Sequence, residues 1–189
     1  MEPPTLKTQI NIQDSNLKSY LLRLVPHHYN FQILKEEASV VSSLYIENIF
    51  ITTLKGLEAF VNLQELAIVN ICLKKQDLKT VTKLKHLKKL ILSNCNLSNI
   101  KILKRLRHLS LLDVSFNQVE DISFLRKLPV TRLNLRNNNC SSLKPLLNKT
   151  FYFLDISFNN FDNEQDLRIL IETTRKLLFE GNPVFETFS

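Results

Sequence analysis

One motif recurs along most of this chain and constrains its fold more than any other feature. Seven stretches fit the pattern L-x-x-L-x-L-x-x-N-x-L, the first of them weakly, and their starts lie 21 to 24 residues apart. They begin at residues 41, 63, 87, 109, 130, 151 and 174, as in LQELAIVNICL, LKKLILSNCNL and LSLLDVSFNQV. Self-similarity at such a period is typical of stacked-repeat architectures, in which each repeat contributes one supersecondary unit.

Two apolar positions separated by one residue mark the centre of every copy, for example Leu66 with Ile68 and Leu112 with Val114. Alternate residues of a strand point to the same face, so each pair predicts a short strand with one buried side. A single repeat cannot bury this side, whereas stacked repeats cover one another and form a continuous core. The sequence therefore predicts an α/β fold, a right-handed solenoid with short parallel strands on its concave face.

The second half of each copy predicts how the chain returns on the convex face. Apolar residues recur at every third position over 97–109 and 119–128, which favours 3₁₀ or short helical returns. Residues 162–174 combine apolar residues at helical spacing with acidic residues in the first turn. We therefore expect an α-helix in this last return.

The asparagine near the end of the motif predicts the chemistry of the bend that follows each strand. Its side chain can bond to backbone groups that are left unpaired where the strand turns away, as expected for Asn117, Asn138, Asn159 and Asn182. Ile49 and Ile71 replace this asparagine in the first two copies. We therefore expect a less regular bend at the N-terminal end.

These repeats resemble the short-repeat, intracellular class of leucine-rich-repeat proteins typified by the type-1 protein phosphatase regulatory subunit and the spliceosomal A-prime protein. The resemblance covers residues 41–185 and includes EGNPVF, from Glu180 to Phe185, which looks like the family's closing turn. It implies a non-enzymatic scaffold or regulatory subunit that binds protein or RNA–protein partners, often through the concave face. Regulation of a type-1 protein phosphatase is the narrowest form of this expectation.

The extent of the repeats divides the chain into three segments. We expect an N-terminal cap or degenerate repeat over residues 1–40, about seven leucine-rich repeats over residues 41–185, and a C-terminal tail over residues 186–189. Two alternatives remain for the first segment. Leu22 and Leu24 would continue the strand column one repeat earlier, whereas the stretch NLKSYLLRLV would fit a capping helix.

Composition narrows the functional classes. Only two glycines occur, Gly56 and Gly181, so a glycine-rich phosphate-binding loop is excluded. The chain has no Ser-His-Asp order and no metal-ligand motif in a suitable context, and His86 with His108 have basic neighbours instead of further ligands. We therefore expect no catalytic residues, no metal or other cofactor, and no small-molecule substrate.

Three further features bear on where the protein acts. The longest apolar runs are only a few residues, too short to span a bilayer. The first residues, MEPPTLKTQINIQD, lack the basic and apolar regions of a secretory signal. The three cysteines are an odd number and are expected to be reduced thiols. Together these features predict a cytoplasmic or nuclear protein without a membrane partner.

The residues beside the apolar strand column are predicted to line the concave face and to bind another protein. Two nearly identical units, LDVSFN and LDISFN, lie on either side of the basic LNLRNN, and interfaces favour aromatic and arginine side chains at their centres. The alternative is that LDxSFN is repeat consensus with a structural role only. The candidate residues, called the strand-face patch below, are Asp113, Ser115, Phe116, Arg132, Asn134, Arg136, Phe153, Asp155, Ser157 and Phe158.

Positive charge is concentrated in one window of the chain. Residues 74–108 contain eleven Lys and Arg residues and a single acid, Asp77, in a chain whose net charge is +7. A surface of this kind suits phosphates or an acidic partner, so RNA or a ribonucleoprotein is the alternative partner. A solvated face that keeps the protein soluble would also explain this concentration of positive charge. The residues of this basic ridge are Lys79, Lys83, Lys85, Lys88, Lys101, Lys104, Arg105 and Arg107.

Overall fold

The structure, a computed structural model, describes residues 9–25 and 31–184 and contains one open, parallel sheet. Its strands follow one another in chain order, and each is parallel to the next. They are β1 (Ser43–Glu47), β2 (Glu65–Val69), β3 (Lys89–Ser93), β4 (Leu111–Asp113), β5 (Arg132–Asn134), β6 (Phe153–Asp155) and β7 (Leu177–Leu178). The predicted α/β solenoid of stacked parallel strands is confirmed. The predicted tail, 186–189, lies outside the described residues.

Neighbouring strands pair at equivalent positions of the repeat. Leu44 pairs with Leu66, Leu66 with Leu90, and Leu112 with Leu133, and all five of these leucines are buried. One continuous apolar core therefore runs through the stacked repeats, as the LxL column predicted. The opposite side of each strand lies on the concave face, because successive side chains of a strand point to opposite sides.

The length of each repeat decides what kind of return it contains. The two longest repeats, which start at residues 63 and 151, hold the α-helices α3 (Lys75–Val81) and α4 (Glu164–Thr173). Shorter repeats hold 3₁₀ turns at Leu57–Ala59, Lys101–Arg105 and Ser123–Lys127. An α-helix advances about 1.5 Å per residue and a 3₁₀ helix about 2.0 Å, so an α-helix needs more residues to cross the same width.

The predicted 3₁₀ returns over 97–109 and 119–128 and the predicted helix within 162–174 are confirmed by these elements. Helix α3 was not predicted, although Leu78 and Val81 are buried at helical spacing. Asp77 supports it from the first turn, because its carboxylate accepts hydrogen bonds from the backbone N–H of Lys74 at 2.9 Å and of Leu54 at 2.8 Å. The second bond ties α3 to the preceding repeat.

The predicted role of the motif asparagine is confirmed at Asn117, Asn138, Asn159 and Asn182. Asn138, for example, is buried, accepts a hydrogen bond from Val119 N at 2.9 Å, and donates to Val114 O and Leu135 O, both at 2.9 Å. Each asparagine thereby satisfies backbone groups of its own repeat and of a neighbouring one. A buried backbone group without a partner would be costly, so these side chains hold the bends together.

The expectation of a less regular bend at the N-terminal end was wrong. In every repeat, the residue directly before the motif asparagine position has a left-handed backbone. Its φ is near +55° at Asn48, Asn70 and Asn94, as it is at Phe116 and Phe158. In the first three repeats the exposed asparagines form a row: Asn70 Nδ2 donates to Asn48 Oδ1 at 2.9 Å, and Asn94 Nδ2 donates to Asn70 Oδ1 at 2.8 Å. Asparagine tolerates the left-handed region well, so the bend keeps its shape without the buried side chain.

Two helices, α1 (Ser15–Leu24) and α2 (Lys35–Ser39), precede the first strand. Leu17 and Leu21 of α1 are fully buried and join the core of the repeats, whereas Leu22 and Leu24 lie in this helix and outside the sheet. Among the described residues, no helix is long and apolar enough to cross a membrane.

Asp14 joins α1 to the first repeat. Its carboxylate accepts hydrogen bonds from Leu17 N at 2.9 Å and from Thr52 N and Oγ1, both at 2.8 Å. Burial alone would raise the pKa of Asp14, but these hydrogen bonds outweigh it and hold the pKa below its ordinary value. The carboxylate is therefore charged near neutral pH and caps the helix N-terminus.

Gly56 allows the N-terminal segment to approach the first repeat closely. Its φ is +105°, and a Cβ at this position would lie 2.4 Å from the carbonyl oxygen of Asn11 and 2.8 Å from the Cα of Ile12. Gln13 N also donates to Lys55 O at 3.1 Å. Glycine is needed here for both the backbone conformation and the space.

Candidate functional site

Half of the strand-face patch is engaged in the structure of the bends. Asp113 Oδ1 accepts hydrogen bonds from Ser115 N at 2.9 Å and from Ser115 Oγ at 2.7 Å, and Asp113 Oδ2 accepts one from Asn134 Nδ2 at 2.9 Å. Asn134 Oδ1 in turn accepts a bond from Arg136 N at 3.0 Å. The polar groups of these side chains are thus used within the solenoid.

Asp155 and Ser157 repeat this arrangement two strands further on. Asp155 is buried and accepts a hydrogen bond from Ser157 N at 2.9 Å. Ser157 is fully buried, and within the described part of the chain its Oγ has no hydrogen-bond partner. Buried side chains of this kind offer a partner little surface, so the exposed members of the strand-face patch are the ones that a partner could contact.

Those exposed members are aromatic and basic. Phe116 is 48% and Phe158 40% exposed, Arg132 is exposed, and Arg136 and Phe153 are half-buried. The guanidinium carbon of Arg136 lies 4.4 Å from the centroid of the Phe158 ring, which is a cation–π distance. Three successive repeats therefore contribute three rings and two guanidinium groups to this surface.

Two charged residues that the sequence did not single out belong to the same surface. Glu180 Oε1 lies 3.0 Å from Arg136 Nη1, and Lys176 Nζ lies 5.7 Å from the centroid of the Phe153 ring. The sequence could have indicated both residues, because Lys176 occupies the repeat position of Phe153 and Glu180 that of Ser157. The strand-face patch consequently extends to the last repeat.

The structure divides the predicted basic ridge into residues with and without acidic partners. Lys83 Nζ lies 2.9 Å from Glu58 Oε1, and Lys101 Nζ lies 2.6 Å from Asp121 Oδ2. The hydrogen bond from Lys101, with those from Ser123, lowers the pKa of Asp121 to about 2. Lys83 and Lys101 are therefore partly neutralised.

Four other residues of the basic ridge come together. Lys85, Lys104, Arg105 and Arg107 line one shallow surface depression of about 810 Å³, called the basic depression below. His108 and Lys127 complete its lining. Lys127 was not predicted as part of this surface, because it lies outside the basic window of residues 74–108. It occupies the repeat position of Arg105 one repeat later.

The remaining two residues of the predicted ridge lie apart from the basic depression. Lys88 borders a neighbouring depression with Asn62, Gln64, His86 and His108, and Lys79 is exposed on α3. The eight residues thus do not form one uniform surface. In the described residues, no group of three or more His, Cys, Asp or Glu side chains could hold a metal ion.

The cysteines are free thiols with different surroundings. Cys72 is exposed, whereas Cys95 and Cys140 are buried. Burial raises the pKa of Cys95 to about 11 and that of Cys140 to about 12. The two buried thiols donate to Ile68 O at 3.3 Å and to Val119 O at 3.2 Å, respectively, so they act as small core residues and not as nucleophiles.

Comparison with known proteins agrees with this architecture. A family profile of leucine-rich repeats (2 copies) matches residues 85–127, and no curated protein matches the chain. An internalin of Listeria monocytogenes is similar in structure, with a TM-score of 0.71 and 20% sequence identity over 95% of this chain and 60% of the internalin. Together with the repeat register, these findings show that the chain has the leucine-rich-repeat solenoid fold.

Two further solved structures show the same fold. A leucine-rich-repeat protein of Leptospira interrogans gives a TM-score of 0.64 at 20% identity, covering 85% of this chain and 42% of that protein. Internalin C2 of Listeria monocytogenes gives 0.57 at 16% identity, covering 94% of this chain and 100% of that protein. The chain thus spans less than two thirds of two of these three structures, 60% of the first internalin and 42% of the Leptospira protein. At such identities the likeness concerns the fold.

Proposed function

We propose that this protein is a non-enzymatic scaffold or regulatory subunit that binds another protein through the concave face of its repeats. The observation that carries the proposal is the set of Phe116, Arg132, Arg136 and Phe158 on three successive repeats, with both rings exposed and the Arg136 guanidinium over the Phe158 ring. Leucine-rich-repeat solenoids offer extended concave surfaces of this kind for binding. Aromatic and arginine side chains supply much of the binding energy at the centres of interfaces.

The backbone at the two phenylalanines supports the same conclusion. Phe116 and Phe158 have φ values of 56° and 54°, a left-handed conformation that costs a residue with a Cβ about 1–2 kcal/mol. Asparagine occupies the equivalent position at Asn48, Asn70 and Asn137 and adopts this conformation more readily. An exposed ring in a strained position is consistent with a role in contacting a partner.

Two narrower hypotheses concern the nature of the partner. Regulation of a type-1 protein phosphatase has its support in the sequence resemblance, and binding of RNA or a ribonucleoprotein in the charge of the basic ridge. We place the protein in the cytoplasm or nucleus, which is supported by three free thiols, two of them in the core. The strand-face hypothesis has the more specific geometric support, because the Arg136 guanidinium lies over the exposed Phe158 ring.

The test begins with a pull-down of the tagged protein from native lysate at moderate salt, with and without nuclease, followed by mass spectrometry. A protein that persists after nuclease treatment is then titrated against the purified chain and against the double variant Phe116→Asn with Phe158→Asn. We expect the double variant to bind at least about tenfold more weakly, which corresponds to about 1.4 kcal/mol. Asparagine is chosen because it fits the left-handed backbone.

The matched control replaces two exposed aromatic residues outside the strand-face patch. Phe50 and Tyr152 are 79% and 59% exposed, and the variant Phe50→Asn with Tyr152→Asn should retain full affinity. If both double variants bind equally well, the strand face is not the interface. If recovery of every partner collapses with nuclease, the basic ridge is the functional surface and the proposal is wrong.

A further inference from the structure

Side chains from three successive returns converge in the basic depression. Because the returns repeat, Lys83, Arg105 and Lys127 occupy one repeat position, and Lys85 and Arg107 occupy another. Lys104, Arg105 and Arg107 come from the middle return, between Lys85 and Lys127. The solenoid therefore concentrates positive charge on its convex side by stacking, although each single repeat contributes only one to three cations to the depression.

The charge in the basic depression is not balanced by the protein. Among the described residues, its lining contains five Lys and Arg residues, one histidine and no carboxylate. Among residues 9–25 and 31–184, Lys104, Arg105 and Arg107 have no salt bridge, in contrast to Lys83 and Lys101 outside the lining. Clustered like charges repel one another, and a bound polyanion would remove that repulsion.

The basic depression is short in the direction of the solenoid axis. The position of Arg105 is occupied by Ala59, next to Glu58, two returns earlier and by Asn148 two returns later. The basic lining therefore covers three returns, and with repeats about 5 Å apart its first and third returns are about 10 Å from each other. A surface of this size suits a compact anion with a few charges and not a long polymer.

The lining also identifies the chemistry of the anion. Two arginines side by side favour phosphate groups, because guanidinium groups donate in a planar fork that matches phosphate oxygens. Within residues 9–25 and 31–184, the lining contains no Phe, Tyr or Trp on which a base could stack. Stacking supplies much of the affinity for single-stranded nucleic acids. The polypeptide backbone of a phosphorylated peptide needs no such ring.

We propose that the basic depression is a binding site for a multiply phosphorylated peptide segment. The phosphate groups lie against Arg105 and Arg107, with Lys85, Lys104 and Lys127 around them. This site is separate from the strand-face patch and its existence does not depend on the function proposed for that surface.

The experiment is a fluorescence-anisotropy titration of the full chain with a labelled peptide that carries three phosphoserines separated by single glycines. The unphosphorylated peptide, a single-stranded RNA and a duplex RNA of matched phosphate number are titrated in parallel. We expect the phosphopeptide to bind more tightly than the other three probes, with an affinity that falls as sodium chloride is raised. Arg105→Glu with Arg107→Glu should weaken it by at least about tenfold.

Two control variants separate the site from general charge and from the strand face. Lys144→Glu with Arg175→Glu reverses the same charge at exposed positions outside the basic depression and should change the affinity less than about twofold. Phe116→Asn with Phe158→Asn should bind the phosphopeptide like the original chain. Circular dichroism and thermal melting confirm that each variant is folded.

Three results would overturn the proposal. The first is that the phosphorylated and unphosphorylated peptides bind with equal affinity, or that neither peptide binds. The second is an equal loss of affinity in the two charge-reversal variants, which would mean that the overall charge and not this site binds the peptide. The third is tighter binding of either RNA at matched phosphate number, which would assign the surface to nucleic acid.

Discussion

The two halves of the solenoid make the same bend with different side chains. In the first three repeats, Asn48, Asn70 and Asn94 adopt the left-handed conformation at the surface, and their amides bond to one another. In the later repeats a buried asparagine such as Asn138 lies one position further on and bonds to the backbone of its own and a neighbouring repeat. The backbone path is common to both halves, but its supporting hydrogen bonds are not.

This difference decides which half can present other side chains to a partner. Where the motif asparagine holds the bend, as Asn117 and Asn159 do, the left-handed position can carry Phe116 or Phe158. Where a surface asparagine row holds it, the same position is occupied by the amide itself. The two exposed rings of the strand-face patch accordingly lie in the second half, where the motif asparagine supports the bend.

The largest expected effect comes from removing the two kinds of asparagine in turn. Asn138→Ala leaves the buried Val119 N–H and two carbonyl groups without their partner, and we expect a loss of about 3 kcal/mol in the free energy of unfolding. Asn70→Ala removes only exposed amide bonds and places alanine in the left-handed region, for a loss of about 1 kcal/mol. Urea denaturation followed by circular dichroism measures both.

Asn70→Gly is the control for the surface row, because glycine adopts the left-handed backbone without strain. Its stability should lie closer to that of the original chain than the stability of Asn70→Ala. Equal losses for Asn138→Ala and Asn70→Ala would show that the two halves do not differ as their hydrogen bonds indicate.

The two glycines test the ends of the solenoid. At Gly56 an added Cβ meets the backbone of Asn11 and Ile12, whereas at Gly181, with φ of +67°, it lies 2.5 Å from Cδ1 of the Phe158 side chain. A ring can move more easily than a backbone, so we expect Gly56→Ala to cost about 2 kcal/mol or more and Gly181→Ala about 1 kcal/mol. The comparison is made by thermal unfolding, and a larger loss at Gly181 would contradict it.

The smallest expected effect has the opposite sign. Phe116→Asn places an asparagine at the left-handed position, as in the first three repeats. It should stabilise the chain by about 1 kcal/mol or less, because asparagine relieves the left-handed strain. Phe158→Asn should give no such gain, since it also removes the contact with Arg136. Differential scanning calorimetry of both variants resolves the difference, and a destabilised Phe116→Asn would refute the idea of strain at this ring.

Much of the architecture followed from the spacing of apolar residues. The LxL column, the 3₁₀ returns and helix α4 were all predicted, because burial in a stacked solenoid requires side chains at fixed intervals. Helix α3 was missed even though its repeat is the longest, since the extra residues of that repeat were not weighed as helical length. The role of Asn48, Asn70 and Asn94 was missed because the motif directs attention to the position that follows them.

The candidate sites were less predictable, for a physical reason that particular residues show. Asp113 and Phe116 belong to the same LDVSFN unit, yet Asp113 bonds to Ser115 and Asn134 while Phe116 is half exposed. Likewise Lys83 and Arg105 share a repeat position, but of these two only Lys83 has an acidic partner, Glu58, in the part of the chain that the structure describes. Sequence position alone does not show which polar groups are satisfied by neighbouring repeats.

By itself, the sequence determined the repeat, the strand column, the buried core and the window of positive charge, because these depend on the order and spacing of residues within a repeat. Only the tertiary structure decided which strand-face side chains are exposed and how the basic residues divide between ion pairs and the basic depression. Those outcomes depend on contacts between repeats and on a left-handed backbone at each bend. A hydrogen bond or an ion pair between residues of different repeats can form only when the repeats are stacked.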